Sequence, residues 1–149
     1  MKIAIATDHN GVEVKKEIKK FLVNKGYEVD DLSQHNSAFD DYPEYAFAVS
    51  NKVVNGEADF GILLCGTGIG MSIAANKVKG VRCAHVTSSS EAILARQHNN
   101  ANIIALSAKN KVNDLLKIID LFLNTSFKME DRHIRRNKKI AEYEEKNNG

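Results

Sequence analysis

Cysteine is nearly absent: Cys65 and Cys83 are the only two in 149 residues. Two thiols make neither a disulfide framework nor a four-cysteine metal set. No apolar run approaches the ~20 residues that cross a bilayer as a helix, so a membrane protein is not expected. Excess charge is missing as well. Lys and Arg number 21 against 19 Asp and Glu, a net +2, which argues against a general polyanion binder. An apolar content of 43% argues against disorder. His, Cys and carboxylates nowhere fall at metal-ligand spacing, and no repeat or low-complexity tract occurs. The amino terminus reaches Asp8 too early for a secretory leader. These absences leave one cytoplasmic domain over residues 1–149, long enough for a real core.

What is present alternates. Lys2–Thr7 reads as a strand, with Asp8-His9-Asn10-Gly11 as the loop at its end. Val14, Ile18, Phe21 and Leu22 follow at helical spacing, and Gly26 suits a helix stop. A short strand over 27–32 leads to the polar loop 33–41, then to a helix opened by Pro43 and ended at Gly56. Phe60–Cys65 is a continuous apolar run suited to a strand buried on both faces. Strands over 81–86 and 102–106 alternate with a helix capped by Ser88 and Glu91 and with the amphipathic stretch from Val112 to Leu123. The pattern predicts an α/β, Rossmann-like fold: a five-stranded parallel sheet in an α/β/α sandwich. An arm over about 126–149 is helical in propensity but poor in apolar residues. Its own core alone is not expected to hold it, so docking on a partner subunit is predicted.

The chemistry concentrates at Cys65-Gly66-Thr67-Gly68-Ile69-Gly70. Glycines at that density let backbone N–H groups converge on an anion just ahead of a helix. A dinucleotide fingerprint is excluded, because the third glycine comes one place early and the loop follows the third strand. A phosphate-binding Lys-Ser/Thr loop is excluded because no Lys-Ser/Thr follows. The same spacing also suits a tight strand–helix turn that binds nothing. Cys65, at the end of a strand where α/β sheets bind ligands, has amides near enough to favour a thiolate. Cys83, within a strand, reads as a small buried hydrophobe.

Asp8-His9 after the first strand and His98-Asn99 before the fifth are expected to open on one crevice. His35 and His85 carry no assigned role. Three of the five arginines are Arg132, Arg135 and Arg136. On a helix Arg132 and Arg136 share a face, a spacing fit to clamp a phosphate with forked donors. A solvated basic helix is the alternative, and the lack of interleaved aromatics weighs against nucleic acid.

Together, Asp8-His9, Asp41-Tyr42-Pro43, the Cys65–Gly70 loop, Arg96-Gln97-His98-Asn99 and Arg132-His133-x-x-Arg136 resemble the type B ribose-5-phosphate isomerases. Galactose-6-phosphate and allose-6-phosphate isomerases share that family, and the likeness covers nearly the whole chain. It implies interconversion of ribose 5-phosphate and ribulose 5-phosphate, in the pentose phosphate pathway, through an enediolate and without metal or organic cofactor. It implies Cys65 as the base at C2, His98 in ring opening and Thr67 in moving protons between O1 and O2. The amides of Gly66, Gly68, Ile69 and Gly70 are implied to hold the enediolate oxygen. Asp8, Tyr42 and Asn99 would contact the sugar, and His9, Arg132 and Arg136 the phosphate. Lys109 stands where the family often has an arginine that reaches the partner's phosphate, which keeps the charge but not the fork. The resemblance further implies a homodimer or dimer of dimers with composite sites. A six-carbon specialist of the same family is the nearer alternative, and a non-catalytic phospho-ligand domain the more distant one.

Overall fold

Strand residues of two sizes decide how the layers pack. The structure, a computed structural model, describes residues 1–148. Its elements are β1 (Lys2–Thr7), a 3-10 turn (His9–Gly11), α1 (Val12–Asn24), β2 (Glu28–Asp31), α2 (Tyr42–Val54) and β3 (Phe60–Cys65). They continue with α3 (Ile69–Ala75), β4 (Cys83–His85), α4 (Ser89–Asn99), β5 (Ile103–Ser107), α5 (Val112–Asn124) and α6 (Asp131–Asn148). The five strands form one sheet in the order β2-β1-β3-β5-β4, every pair parallel.

Because side chains alternate across a strand, each strand sends one set to each face. Ile3, Ile5, Ile62, Leu64, Ile104 and Leu106 meet α1, α4 and α5 on one side. Ala4, Ala6, Leu63, Cys65 and Ala105 meet α2 and α3 on the other. The second face is built of smaller residues, so its helices come closer. At Gly61 a Cβ would lie 2.6 Å from Val49 Cγ1 and 3.0 Å from Ile103 Cγ1. On the first face Phe122 is fully buried with its ring edge-on to Phe60, centroids 5.6 Å apart. Burying such a side chain contributes about 1.5–3 kcal/mol. Ser88 starts α4 as expected: its hydroxyl accepts the Glu91 N–H at 3.2 Å, while Glu91 accepts the N–H and hydroxyl of Thr87 at 2.6 Å each.

The strand order places a crevice. The chain leaves β1 for β2 on one side and returns to β3 on the other, so connections diverge at the carboxyl ends of β1 and β3. Ligands of open α/β sheets bind at such a switch point.

The arm is held by its own chain at only a few points. Of the α6 side chains described, His133 alone is buried, its ring stacked on His98 with centroids 4.4 Å apart. Asn137 donates to the His98 carbonyl at 3.0 Å, Glu144 accepts the Gly80 N–H at 2.7 Å, and Glu145 pairs with Lys79 at 2.5 Å. Ile140 and Tyr143 remain exposed.

Candidate active site

Cys65 closes β3, and three neighbours fix the loop that follows. Ala108 donates its N–H to the Cys65 carbonyl at 2.9 Å, the Ser107 hydroxyl donates to the Gly66 carbonyl at 2.8 Å, and His85 Nε2 meets the Thr67 carbonyl at 2.9 Å. Gly68 then turns the chain with φ +83°, the left-handed region that favours glycine. Its N–H donates to Cys65 Sγ at 3.2 Å, and the Ile69 N–H donates to Thr67 Oγ1 at 3.2 Å. The N–H groups of Gly66 and Thr67 have no protein partner among the described residues. The result is a thiol, 5% exposed, beside a cluster of loop donors, two of them without a protein partner. Such a cluster stabilises negative charge as it develops on a substrate oxygen.

The β1 loop and α2 complete this end. Asp8 is buried and accepts Asn10 N–H at 2.9 Å and Asn10 Nδ2 at 3.1 Å. Asn10 in turn borders Gly66, where a Cβ would lie 3.7 Å from its Nδ2. The Tyr42 ring packs on Gly70 so tightly that a Cβ there would be 2.5 Å from Tyr42 Cζ. Lys109, exposed, follows β5 and donates its N–H to Ser107 Oγ at 3.2 Å. His9 lies against Asp40: His9 Nδ1 is 2.8 Å, and its N–H 3.1 Å, from Asp40 Oδ1. Asn36 and Tyr45 donate to Asp40 Oδ2 at 2.9 and 3.0 Å. Burial disfavours the Asp40 carboxylate, but these four hydrogen bonds outweigh it and hold the group at about 2. The hydrogen bond to Asp40, with the Asp8 charge nearby, raises His9 above its ordinary value against some desolvation.

His98, Asn99, Arg132 and Arg136 lie elsewhere. Helix α4 runs back from the carboxyl end of β4, so His98 and Asn99 sit at the amino end of the sheet, just before β5. Cys65 pairs with Ser107 and Gly61 with Ile103, which puts about 13 Å of strand between the two ends. The expectation that the His9 and His98 loops open on one crevice is therefore not met within one chain. The arm joins the far group. Arg132 is exposed and ion-paired to Glu130 at 2.9 Å, and Arg136 is exposed one turn on. Burial, then the neighbouring His98, disfavour a proton on His133. Arg96 is structural: its guanidinium bonds the carbonyls of Thr125 and Ala101 and stacks 4.9 Å over Phe60.

The expected site residues thus fall into two groups at opposite ends of one sheet. Against known proteins, the sequence pattern of the Ribose/Galactose Isomerase family matches residues 3–140. The chain belongs to this family. Ribose-5-phosphate isomerase B of Escherichia coli strain K12 is 41% identical over 148 residues, 99% of each chain. Ribose-5-phosphate isomerase B of Mycoplasma genitalium, solved with bound ribulose 5-phosphate, superposes with a TM-score of 0.91 at 48% identity, covering 97% of this chain and 96% of that one. The galactose-6-phosphate isomerase subunit LacB of Clostridium acetobutylicum is 40% identical over 129 residues, 86% of this chain and 75% of its own. The Ribose/Galactose Isomerase family therefore spans five- and six-carbon names, and this chain is similar to both.

Three residues of the near end escaped the sequence. Asp40 looked like one more polar residue of the 33–41 loop, and only its neighbour Asp41 entered a motif. Asp41 makes no side-chain cap on α2. Ser107 and His85 hold the glycine loop through its carbonyls, and nothing in their local spacing signals it. Cys83, read as a small buried hydrophobe, is half-buried at the start of β4, and burial pushes its thiol up to about 12. Among the described residues no set of three His, Cys, Asp or Glu is placed to hold a metal, and no helix is long and apolar enough to cross a membrane.

Proposed function

We propose that the protein is a cofactor-independent aldose–ketose isomerase that interconverts ribose 5-phosphate and ribulose 5-phosphate. One observation carries this: the Cys65 thiol sits at the β1/β3 switch point with the Gly68 N–H on its sulfur and unpartnered loop amides beside it. Proton abstraction alpha to a carbonyl needs such a pairing, a base next to fixed donors for the oxyanion it creates. Family membership and the relatives' names support the substrate class.

The steps on this reading are as follows. Cys65, as thiolate, takes the C2 proton of the open-chain aldose. The C–H electron pair becomes the C1–C2 double bond, and the carbonyl oxygen becomes the enediolate O⁻, held by the amides of Gly66 and Gly70 and joined by those of Gly68 and Ile69 as they leave Cys65 Sγ and Thr67 Oγ1. Thr67 moves a proton between O2 and O1. Cys65 then returns its proton to C1, giving the ketose, so no redox partner is needed. Asp8 and Tyr42 orient the sugar and His9 meets the phosphate, while Lys109 reaches the phosphate held by the partner.

His98, Asn99, Arg132 and Arg136 enter from a second copy of the chain. A two-fold axis that lays the far end of one subunit on the near end of the other makes two identical sites at once, because the same patch serves both partners. The sparse anchoring of α6 in its own chain favours this arrangement. His98 then assists ring opening, and the two arginines clamp the phosphate with forked donors. Cys65→Ala tests the role of the base. It should abolish isomerisation while leaving sugar-phosphate binding largely intact; retained turnover would remove Cys65 as the base.

A further inference from the structure

The contact between His9 and Asp40 does more than tether a loop. Asp40 offers one oxygen to both the Nδ1 and the main-chain N–H of His9, and its other oxygen is occupied by Asn36 and Tyr45. Asn36 is itself fixed by donating to the Thr7 carbonyl at 2.9 Å, and the Asp40 side chain is only 10% exposed. The carboxylate therefore cannot turn away, and it brings no proton of its own to the contact. An ionised carboxylate only accepts, so His9 Nδ1 must carry the hydrogen. In a neutral imidazole that choice strips the proton from Nε2 and leaves a lone pair there. The His9 side chain is 41% exposed, so Nε2 is the atom left to meet a ligand.

A lone pair facing a phosphate oxygen repels it. We propose that Asp40 is a positioning residue that locks His9 in its Nδ1–H form, so that His9 holds the substrate phosphate only as an imidazolium. This rests on the reading of His9 as a phosphate ligand. The charged groups facing His9 in its own chain are Asp8 from the same turn and Asp40 from the loop before α2, both of which favour the cation. Lys109, Arg132 and Arg136, arriving from the second copy, oppose it until the phosphate dianion is bound. Phosphate binding is then linked to proton uptake at His9, and the site discriminates for the dianion over an unphosphorylated sugar.

Two measurements test this. The first follows the His9 ring by NMR in the intact protein, with and without inorganic phosphate. In the wild type, phosphate should raise the pH at which His9 loses its proton; in Asp40→Asn that response should shrink or vanish, because the amide can donate to Nδ1 and free an Nε2–H. The second follows KM for ribose 5-phosphate against pH. Above the pH at which His9 deprotonates, wild-type KM should climb toward tenfold per pH unit, with kcat moving far less. Asp40→Asn should start about tenfold higher at low pH and lack the climb. His9→Gln, at an exposed position, gives the same flat profile should Asp40→Asn fail to fold. A wild-type KM flat across His9 deprotonation, or an equal climb in either variant, overturns the proposal. Phosphate-linked titration of His9 without any turnover supports the lock while overturning the isomerase assignment; turnover without that linkage does the reverse.

Discussion

Replacing Gly68 with alanine puts the glycine loop to a quantitative test. The new Cβ would lie 2.9 Å from the Leu106 carbonyl carbon and 3.0 Å from both the Leu106 oxygen and His85 Cδ2. Leu106 is main chain within β5, paired to β3, so it cannot retreat cheaply. The left-handed φ of +83° costs an alanine about 1–2 kcal/mol, and overpacking adds about 1–3 kcal/mol. Stability should fall by about 2–5 kcal/mol, or roughly 4–20 °C in Tm for a chain of this size. If the loop shifts to relieve the clash, the Gly68 N–H withdraws from Cys65 Sγ. Losing one donor of an oxyanion site lowers kcat by about 10²–10³-fold. Gly66→Ala is the matched control, since its Cβ would find nothing nearer than Asn10 Nδ2 at 3.7 Å. Denaturant unfolding and initial rates on both variants decide the matter. A Gly68→Ala protein as stable and as active as Gly66→Ala would refute the reasoning.

Three further outcomes are expected. Mixing Cys65→Ala with Arg136→Ala subunits, each inactive alone, should restore activity to about one quarter of wild type, since random pairing leaves one intact composite site in half of the dimers; no recovery after verified exchange would place the whole site in one chain. Phe122→Ala should cost about 3–5 kcal/mol by denaturant unfolding, because the ring is fully buried against Phe60; a loss under about 1 kcal/mol would contradict the packing described. Asp40, depressed to about 2 when folded, contributes stability that is present above its unfolded value near 3.8 and lost as pH falls toward 2. Acid unfolding should thus be shallower in Asp40→Asn between about pH 4 and 2, and an unchanged slope would count against the hydrogen-bond set around Asp40.

The layers were legible in the sequence for physical reasons. Phe60–Cys65 is apolar at every position because the strand is covered on both faces, and the stripe from Val112 to Leu123 marks the one face α5 buries. Strand order was not legible, since no local pattern says that β5 inserts between β3 and β4. The Cys65 end of the candidate site is legible because glycine spacing, a strand-end thiol and a helix start are local features. His98 and Asn99 lie at the other end for a geometric reason. In a parallel sheet every helix returns to the amino end, so a residue closing α4 faces away from one following β3. His98 could have been assigned to the opposite end on that ground alone. Asp40 is different: its role depends on a loop folding back 31 residues to reach His9, a contact without sequence periodicity.

The most direct test is to incubate the purified protein with ribose 5-phosphate in D2O and follow both sugars by NMR. Formation of ribulose 5-phosphate with solvent deuterium entering C1 of the ketose and C2 of the recovered aldose, absent in Cys65→Ala, is the predicted result. Folded protein that binds the sugar phosphate yet yields neither ketose nor deuterium would contradict it.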